Sequence, residues 1–385
     1  MRRVFIIGAG HTKFGRSSVD ALSLMLEASK KSMDAAQLSP SEIDQCFYSN
    51  AFGFAERQLH IGPLLNTALG IWDRPSITVE SACSSGSAAL YEAFINIASG
   101  NADVCLVAGG ERLLHLKTNE ATAYFAMGSD YALEGANGAT FPGLYALMAS
   151  AHMRLYHTNE EMLASVAIKN HGNAVHNEYA HFRKSITMSD YMESPYVAYP
   201  LRLYDCCPFS DGAAAVILSS EEFARKRVQE LVEIVACRRA GGYGSLTQSR
   251  DLTSLPAARN ATASAFNAAH LTPGDVDVAE VHDCFTIAEI VATEDTGLFP
   301  PGSGGKAALE GDTAIGGRIA VNPSGGLKAK GHPVSATGVS QIYELYNQLT
   351  ENSGKRQVAG AEIGMAHNVG ATGGSCTVTL LRRVR

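Results

Sequence analysis

Asp34-Ala-Ala-Gln-Leu-Ser-Pro-Ser-Glu-Ile-Asp44 and Asn267-Ala-Ala-His-Leu-Thr-Pro-Gly-Asp-Val-Asp277 match position for position at an offset of 233, with five identities and three conservative pairs. Each copy reads as the end of an amphipathic helix at Leu38 or Leu271, then a Ser/Thr-Pro turn, then a strand that begins after the Asp. A strand and a helix precede each copy, the strands being Val4 to Ile7 and Leu231 to Ala236. Downstream, an apolar strand runs into a loop and another helix in both places: Ile77-Thr-Val79 toward Cys83, and Ile319-Ala-Val321 toward His332. Val104 to Ala108 and Ala361 to Met365 follow, and Ala213 to Leu218 and Cys376 to Leu381 read as the closing strands. Strands alternating with helices predict α/β layers, and the repetition predicts two similar halves about a pseudo-twofold axis, with the catalytic groups where they meet. The first half is expected over 1–114 and 206–225 and the second over 226–385. Residues 115–205, rich in aromatics, histidine and glycine, are expected to form an inserted loop or lid lobe with a helical stretch near Pro142 to Tyr156.

A length of 385 residues predicts two or three domains with a sizeable core. Charged residues are only 18% of the chain, below the usual quarter, which predicts that a second copy covers part of the surface. The strand Val104 to Ala108 is expected near the two-fold axis of that homodimer. The net charge of −7 comes without a basic tract, which excludes a nucleic-acid-tracking surface. Eight cysteines with no CxxC pair suggest neither a disulfide framework nor a zinc ribbon, and point to a reducing cytoplasm. Met1-Arg2-Arg3 followed by Val4 to Ile7 is too short for a signal peptide, and no run approaches a membrane span.

Four places carry candidate chemistry. Cys83 stands in Ser81-Ala-Cys83-Ser-Ser-Gly-Ser87, a small-residue turn before a helix whose positive end would lower a thiol pKa and present a nucleophile. His332 stands in Asn322-Pro-Ser-Gly-Gly-Leu-Lys-Ala-Lys-Gly331-His332-Pro333, where the glycines are read as letting backbone approach a ligand and the His as a neutral base or oxyanion donor. His282 lies in Val281-His-Asp-Cys-Phe285, and His367 in Met365-Ala-His-Asn-Val-Gly-Ala-Thr-Gly-Gly374, read as a turn between two strands. All four follow strands at equivalent ends of the two halves, where open sheets place ligands. His171, His176 and His181 do not share a helix face, so no metal site is expected. Cys206 and Cys207 are read as packing residues, and Gly8-Ala-Gly10 as a first strand, since no third glycine completes a dinucleotide fingerprint.

These motifs, Asn322-Pro-Ser-Gly-Gly and Gly331-His332-Pro333 above all, give the chain a resemblance to the thiolase superfamily over essentially its whole length. His282-Asp-Cys-Phe285 resembles the sterol-carrier-protein-type members. His367-Asn368, standing where most thiolases have a second catalytic cysteine, resembles archaeal and related bacterial members that work with a small zinc-ribbon/OB-fold protein. The resemblance implies a five-layer αβαβα thiolase fold of two βαβαβαββ halves and an enzyme that cleaves or forms 3-oxoacyl-CoA by Claisen chemistry. It implies coenzyme A as substrate, with no permanently bound cofactor. Cys83 would carry the acyl group, His332 activate it, and His282 with His332 hold the thioester oxygen. The amides of Cys83 and of Asn368 to Gly370 would hold the other oxyanion, and His367 would shuttle the α-proton. Arg183, Lys184, Ser324 and Gly325 are the expected coenzyme A contacts. Cys284 is read as packing. Acetoacetyl-CoA and a bulky aromatic 3-oxoacyl-CoA such as benzoylsuccinyl-CoA are both admitted as substrates, with Tyr124, Phe125, Tyr131, Phe141 and Tyr145 as ring donors to the lobe. A decarboxylating ketosynthase and a non-catalytic acyl-CoA-binding subunit are the alternatives.

Overall fold

The strands are built from runs apolar on both faces, and the computed structural model, which describes residues 2–384, shows why. In the first half, β1 (Val4–His11), β2 (Gln45–Ser49), β3 (Ser76–Thr78), β4 (Val104–Glu111) and β5 (Gly212–Ser220) stand in the order β3-β2-β4-β5-β1. In the second, β6 (Leu231–Gly241), β7 (Val278–Val281), β8 (Ala320–Val321), β9 (Ile363–Gly370) and β10 (Ser375–Val384) repeat it as β8-β7-β9-β10-β6. The halves join edge to edge where Phe5 and Ile6 of β1 pair antiparallel with Glu233 and Val232 of β6. Parallel and antiparallel pairings also correspond, β2 and β7 each lying parallel to both neighbours.

Alternate residues of one strand serve different apolar layers. Val4 and Ile6 of β1 belong to a central cluster with Val107, Val216, Val232 and Ala366, whereas Phe5 and Ile7 belong to an outer one with Val104 and Ile217. Met365 and Val378 face the outer layer of the second half. Between the sheets run α2 (Ser85–Ser99) and α6 (Thr337–Leu349), while α1 (Ala21–Ala35) and α5 (Pro256–Ala269) cover the outer faces. The result is the expected five-layer αβαβα arrangement. A helix pair sandwiched between two sheets needs little charge, so the low charged fraction follows from the layering itself.

The repeat that announced the halves works identically in each. Ser39 and Glu42 form a capping box at the first turn, and Thr272 and Asp275 form one at the second. Asp44 Oδ2 accepts from the amides of Asp103 and Val104 at 2.8 and 2.9 Å; Asp277 Oδ2 accepts from those of Glu362 and Ile363 at the same distances. Each Asp thereby sets the start of the strand next to its own.

Two expectations are corrected. The segment between β4 and β5 is largely helical, with Thr118–Ala126, α3 (Phe141–Tyr156), α4 (Glu160–Ala174) and Met188–Glu193, and a short hairpin pairing Tyr196–Ala198 with Leu201–Arg202. Leu144, Met148, Leu163 and Leu201 merge into the outer core of the second half, so this lobe is a packed layer rather than a lid of loops. And β4 lies between β2 and β5 with every residue buried, so it cannot line an interface between copies. The free edge of the first half is β3, where Ile77 is 49% exposed beside Trp72 at 76%.

Candidate active site

Beyond β3 the chain enters a tight turn, Ala82–Ser84, that leads directly into α2, with Ala82 in left-handed backbone at φ +48°. Hydroxyls serve the polar groups a helix start leaves open: Ser85 Oγ accepts from the Ser81 amide at 2.8 Å and donates to the Ala82 carbonyl at 2.6 Å. Cys83 sits in this turn, only 7% exposed.

Across the pseudo-axis, His332 precedes α6. Its Nδ1 lies 2.7 Å from Thr337 Oγ1, and that hydroxyl donates to the Pro333 carbonyl at 3.0 Å. The hydroxyl proton being so engaged, Nδ1 carries the ring hydrogen and Nε2 presents a lone pair. His282 has the opposite tautomer. Asn368 Nδ2 donates to the Cys83 carbonyl at 3.2 Å, which fixes the amide's orientation, and donates its second hydrogen to His282 Nδ1 at 3.0 Å. His282 Nε2 is therefore an N–H donor. Both Nε2 atoms are buried without a partner. The Cys83 sulfur and one nitrogen of each ring all lie within 4.8 Å of one another, and the rings meet edge to face with centroids 5.2 Å apart. This is the one group of such spacing among the described residues, and the two tautomers divide the imidazoles into one base and one donor.

Burial pushes the Cys83 thiol up to about 12, although the N–H groups of Ala371 and of Cys83 itself reach the sulfur. The expected lowering by the helix end is thus overridden by desolvation. Burial also drives His332 down to about 3 and His282 well below its ordinary value, so the site is a neutral thiol beside neutral imidazoles. A nucleophilic thiolate then forms only as its proton moves to His332 Nε2.

A cavity of about 350 Å³ opens on Cys83 and His332 and is lined also by Cys284, Phe125, Phe141, Phe209, Phe285 and Ala371. Residues 4–222 match the family model for the thiolase N-terminal domain, and residues 241–383 the one described as thiolase C-terminal domain-like. The chain belongs to the thiolase family. It is 44% identical over 385 residues to the acetyl-CoA acetyltransferase of Methanothermobacter thermautotrophicus, covering 100% of both chains. It is 35% identical over 399 residues to sterol carrier protein 2 of Rattus norvegicus, covering 99% of this chain and 72% of that one. A solved structure described as an Ltp2-ChsH2(DUF35) aldolase has the same fold, with a TM-score of 0.85 at 22% identity over 98% of this chain and 97% of that one.

Not every expected residue of this thiolase reaches the cavity. β9 continues to Gly370, so His367 and Asn368 lie inside a strand and point to opposite faces. Asn368 shares the central face with Ala366 and meets Cys83 and His282 by its side chain rather than by its amide. His367 shares the outer face with Met365, and its Nδ1 accepts from the His282 amide at 3.5 Å; neither it nor His282 lines the cavity, but His282 stands with Cys83 and His332 in the one close cluster among the described residues. Cys284, expected to pack, does line it. The amide beside Cys83 belongs to Ala371, at φ +53°, whereas Gly370 is needed for contact, since a Cβ there would stand 2.4 Å from Ser375 Oγ.

The glycine-rich loop is built for packing, not for ligand approach. Ser324 is fully buried with its hydroxyl donating to Glu280 at 2.6 Å. Gly325, at φ +101°, sits where a Cβ would come 2.6 Å from that of Ala174. Gly326 wraps Asp283, whose carboxylate accepts from the Leu327 amide at 2.6 Å and from Asn170 at 2.7 Å. Neither Ser324 nor Gly325 lines the cavity. Lys184 lines a second, apolar cavity with Phe182 and Tyr204, separated from the first by Cys206 and Cys207, and Arg183 is exposed beside it. Of the lobe's rings, Phe125 and Phe141 line the reaction cavity, Tyr145 is buried behind it, Tyr124 packs on Phe54, and Tyr131 is exposed.

Proposed function

We propose that this thiolase interconverts 3-oxoacyl-CoA and acyl-CoA plus acetyl-CoA through an acyl group on Cys83, with Cys284 moving the α-proton. What carries this reading is that Cys284 lines the cavity that Cys83 and His332 share, whereas His367 lies on the outer face of β9. In cleavage, Cys83 attacks the β-carbonyl carbon while His332 Nε2 takes the thiol proton. The amides of Cys83 and Ala371 hold the oxyanion. As the C–C bond breaks, its electron pair passes to Cα, the thioester oxygen accepts from His282 Nε2–H and the protonated His332, and Cys284 gives its proton to Cα. Coenzyme A then attacks acyl-Cys83, its thiol proton going to the Cys284 thiolate; His332 returns its proton to the Cys83 sulfur, so the cycle closes.

The relative named acetyl-CoA acetyltransferase supports acetoacetyl-CoA as a substrate. The four phenyl rings and about 350 Å³ favour larger apolar 3-oxoacyl groups as well, up to aromatic ones of the benzoylsuccinyl type. Arg183 and Lys184 are assigned to the coenzyme A phosphates. A homodimer through the β3 edge, and a small second protein of the kind named in the Ltp2-ChsH2(DUF35) assembly, complete the reading, which places the enzyme in the cytoplasm. A decarboxylating ketosynthase needs one cysteine and two histidines, so the further thiols on the cavity wall, Cys284 with Cys206 and Cys207, count against it. A purely binding subunit has no use for two opposed tautomers.

The test is thiolysis of acetoacetyl-CoA, 3-oxohexanoyl-CoA and a phenyl-bearing 3-oxoacyl-CoA, with intact mass of the acyl-enzyme. Wild type should form the adduct and cleave 3-oxohexanoyl-CoA at least as well as acetoacetyl-CoA, and Cys83→Ser should do neither. No adduct with any of the three would overturn the reading.

A further inference from the structure

The lobe holds a second cavity, of about 330 Å³, whose wall shares Cys206 and Cys207 with the reaction cavity. Phe182, Ile186, Leu203, Tyr204 and Pro208 make it apolar. Two buried polar side chains line it as well, His171 at 4% exposed and Lys328 at 2%. His171 Nδ1 lies 3.1 Å from the Lys184 carbonyl, which can only accept, so Nδ1 carries the ring hydrogen and Nε2 a lone pair. That lone pair is buried, and no group among the described residues meets it. Burial, and Lys328 after it, drive the ring down to about 4, so it is neutral at pH 7. Lys328 Nζ donates one hydrogen to the Cys206 carbonyl at 2.5 Å, its one hydrogen-bond acceptor among the described residues.

A ligand that satisfies this pocket brings a hydrogen to His171 Nε2 and an oxygen to Lys328 on an otherwise apolar body. A hydroxyl does both. An ether has no hydrogen to give, and a carboxylate sets its lone pairs against that of Nε2. The His171 ring stacks on Phe182 with centroids 6.1 Å apart and meets Tyr204 edge-on at 5.6 Å, so aromatic faces bound the polar corner and suit a flat ring. We infer that the second cavity is a binding site for an aryl alcohol, its O–H donating to His171 Nε2 and its oxygen accepting from Lys328. The site is independent of the acyl chemistry on Cys83 and of which group moves the α-proton. Because Cys206 and Cys207 belong to both walls, its occupant backs the wall of the reaction cavity.

The probes are 2-naphthol, 2-methoxynaphthalene and 2-naphthoate, which share a ring system and differ in what they offer His171. Their binding is followed by naphthalene fluorescence at pH 7.5 with wild type and with His171→Phe, which keeps a ring against Phe182. Wild type should bind 2-naphthol about tenfold more tightly than 2-methoxynaphthalene, the size of one hydrogen bond, and more tightly than 2-naphthoate. His171→Phe should bring the alcohol and the ether within about twofold. A crystal soaked with 6-bromo-2-naphthol should show the bromine's anomalous signal in the second cavity. Equal affinities in wild type, 2-naphthoate binding tightest, or bromine beside Cys83 and Phe125 alone would each overturn the proposal. So would displacement of 2-naphthol by coenzyme A, which would make the cavity part of the thioester's own path. The comparison among probes uses wild type, so it decides the matter even where His171→Phe does not fold. Cys83→Ser should bind all three probes as wild type does, so a failure of the catalytic reading leaves this one standing.

Discussion

Thr337→Val is the perturbation that isolates the tautomer of His332. The two side chains have the same shape, so the change leaves the volume at the start of α6 alone and removes the oxygen 2.7 Å from His332 Nδ1. A neutral imidazole with its Nδ1–H so orphaned pays about 1–3 kcal/mol for the unmet donor. It escapes by moving the hydrogen to Nε2, where it points at the Cys83 sulfur and can no longer accept the thiol proton. Restoring the working tautomer costs that same 1–3 kcal/mol, which predicts a roughly 5- to 150-fold slower acylation. The assay is the single-turnover rate of acyl-Cys83 formation, with a thermal melt to verify folding. Thr337→Ser restores the oxygen and should recover acylation to within about threefold of wild type. A folded Thr337→Val that acylates within twofold of wild type, or a Ser variant no better than Val, would refute the assignment of His332 Nε2 as base.

With the Cys83 thiol near 12 and His332 near 3, iodoacetamide labelling of Cys83 should be nearly flat between pH 6 and 9, because His332 is neutral and the thiol protonated throughout; a tenfold rise per pH unit would mean a free thiolate is the reactive form. His367→Ala should keep acetyl-CoA α-proton exchange within about tenfold, whereas Cys284→Ala should lose about a hundredfold or more; the reverse order by NMR would return the shuttle to His367. Glu344 is driven up by burial but held down to about 2 overall by Lys330 and Arg356. Its folded value being below the unfolded one, it stabilises above about pH 4.5 and loses that as pH falls toward 2, so urea midpoints of wild type should drop more steeply from pH 5 to 3 than those of Glu344→Gln. Ile77→Lys on the free β3 edge should convert a dimer to a monomer by light scattering; a wild-type monomer at micromolar concentration would remove that interface.

The sequence repeat carried the fold because its parts ask for no particular distant side chain: the capping box is local, and the Asp clamps the neighbouring strand through that strand's backbone amides, so both copies keep the same letters. The errors in the site arose where a strand ran further than its apolar run. β9 was read as ending near Met365, which made His367 and Asn368 neighbours in one turn. Carried on to Gly370, period-2 alternation puts His367 with Met365 and Asn368 with Ala366. Cys284 lies past the end of β7 at Val281, where strand alternation no longer applies, so its place on the cavity wall was not legible from the pattern. The glycine-rich loop was misread differently. Its glycines answer Ala174 and the Asp283 carboxylate, distant contacts that no local pattern records.

What brings Cys83 to His332 is itself a matter of two glycines. At Gly86, two residues into α2, a Cβ would stand 2.5 Å from the Ser335 carbonyl; at Gly338, the second residue of α6, it would stand 2.3 Å from the Ser87 amide. The starts of the two central helices therefore touch at backbone distance, Gly86 against the turn before α6 and Gly338 against the first turn of α2, just past the turn that precedes it. Those turns carry Cys83 and His332. The positive ends of two helix dipoles therefore meet near Cys83 and His332, where the proposed chemistry develops negative charge. A chain that repeats itself about an axis gains in this way what neither half has alone: the thiol comes from one copy's turn and the imidazole beside it from the other's.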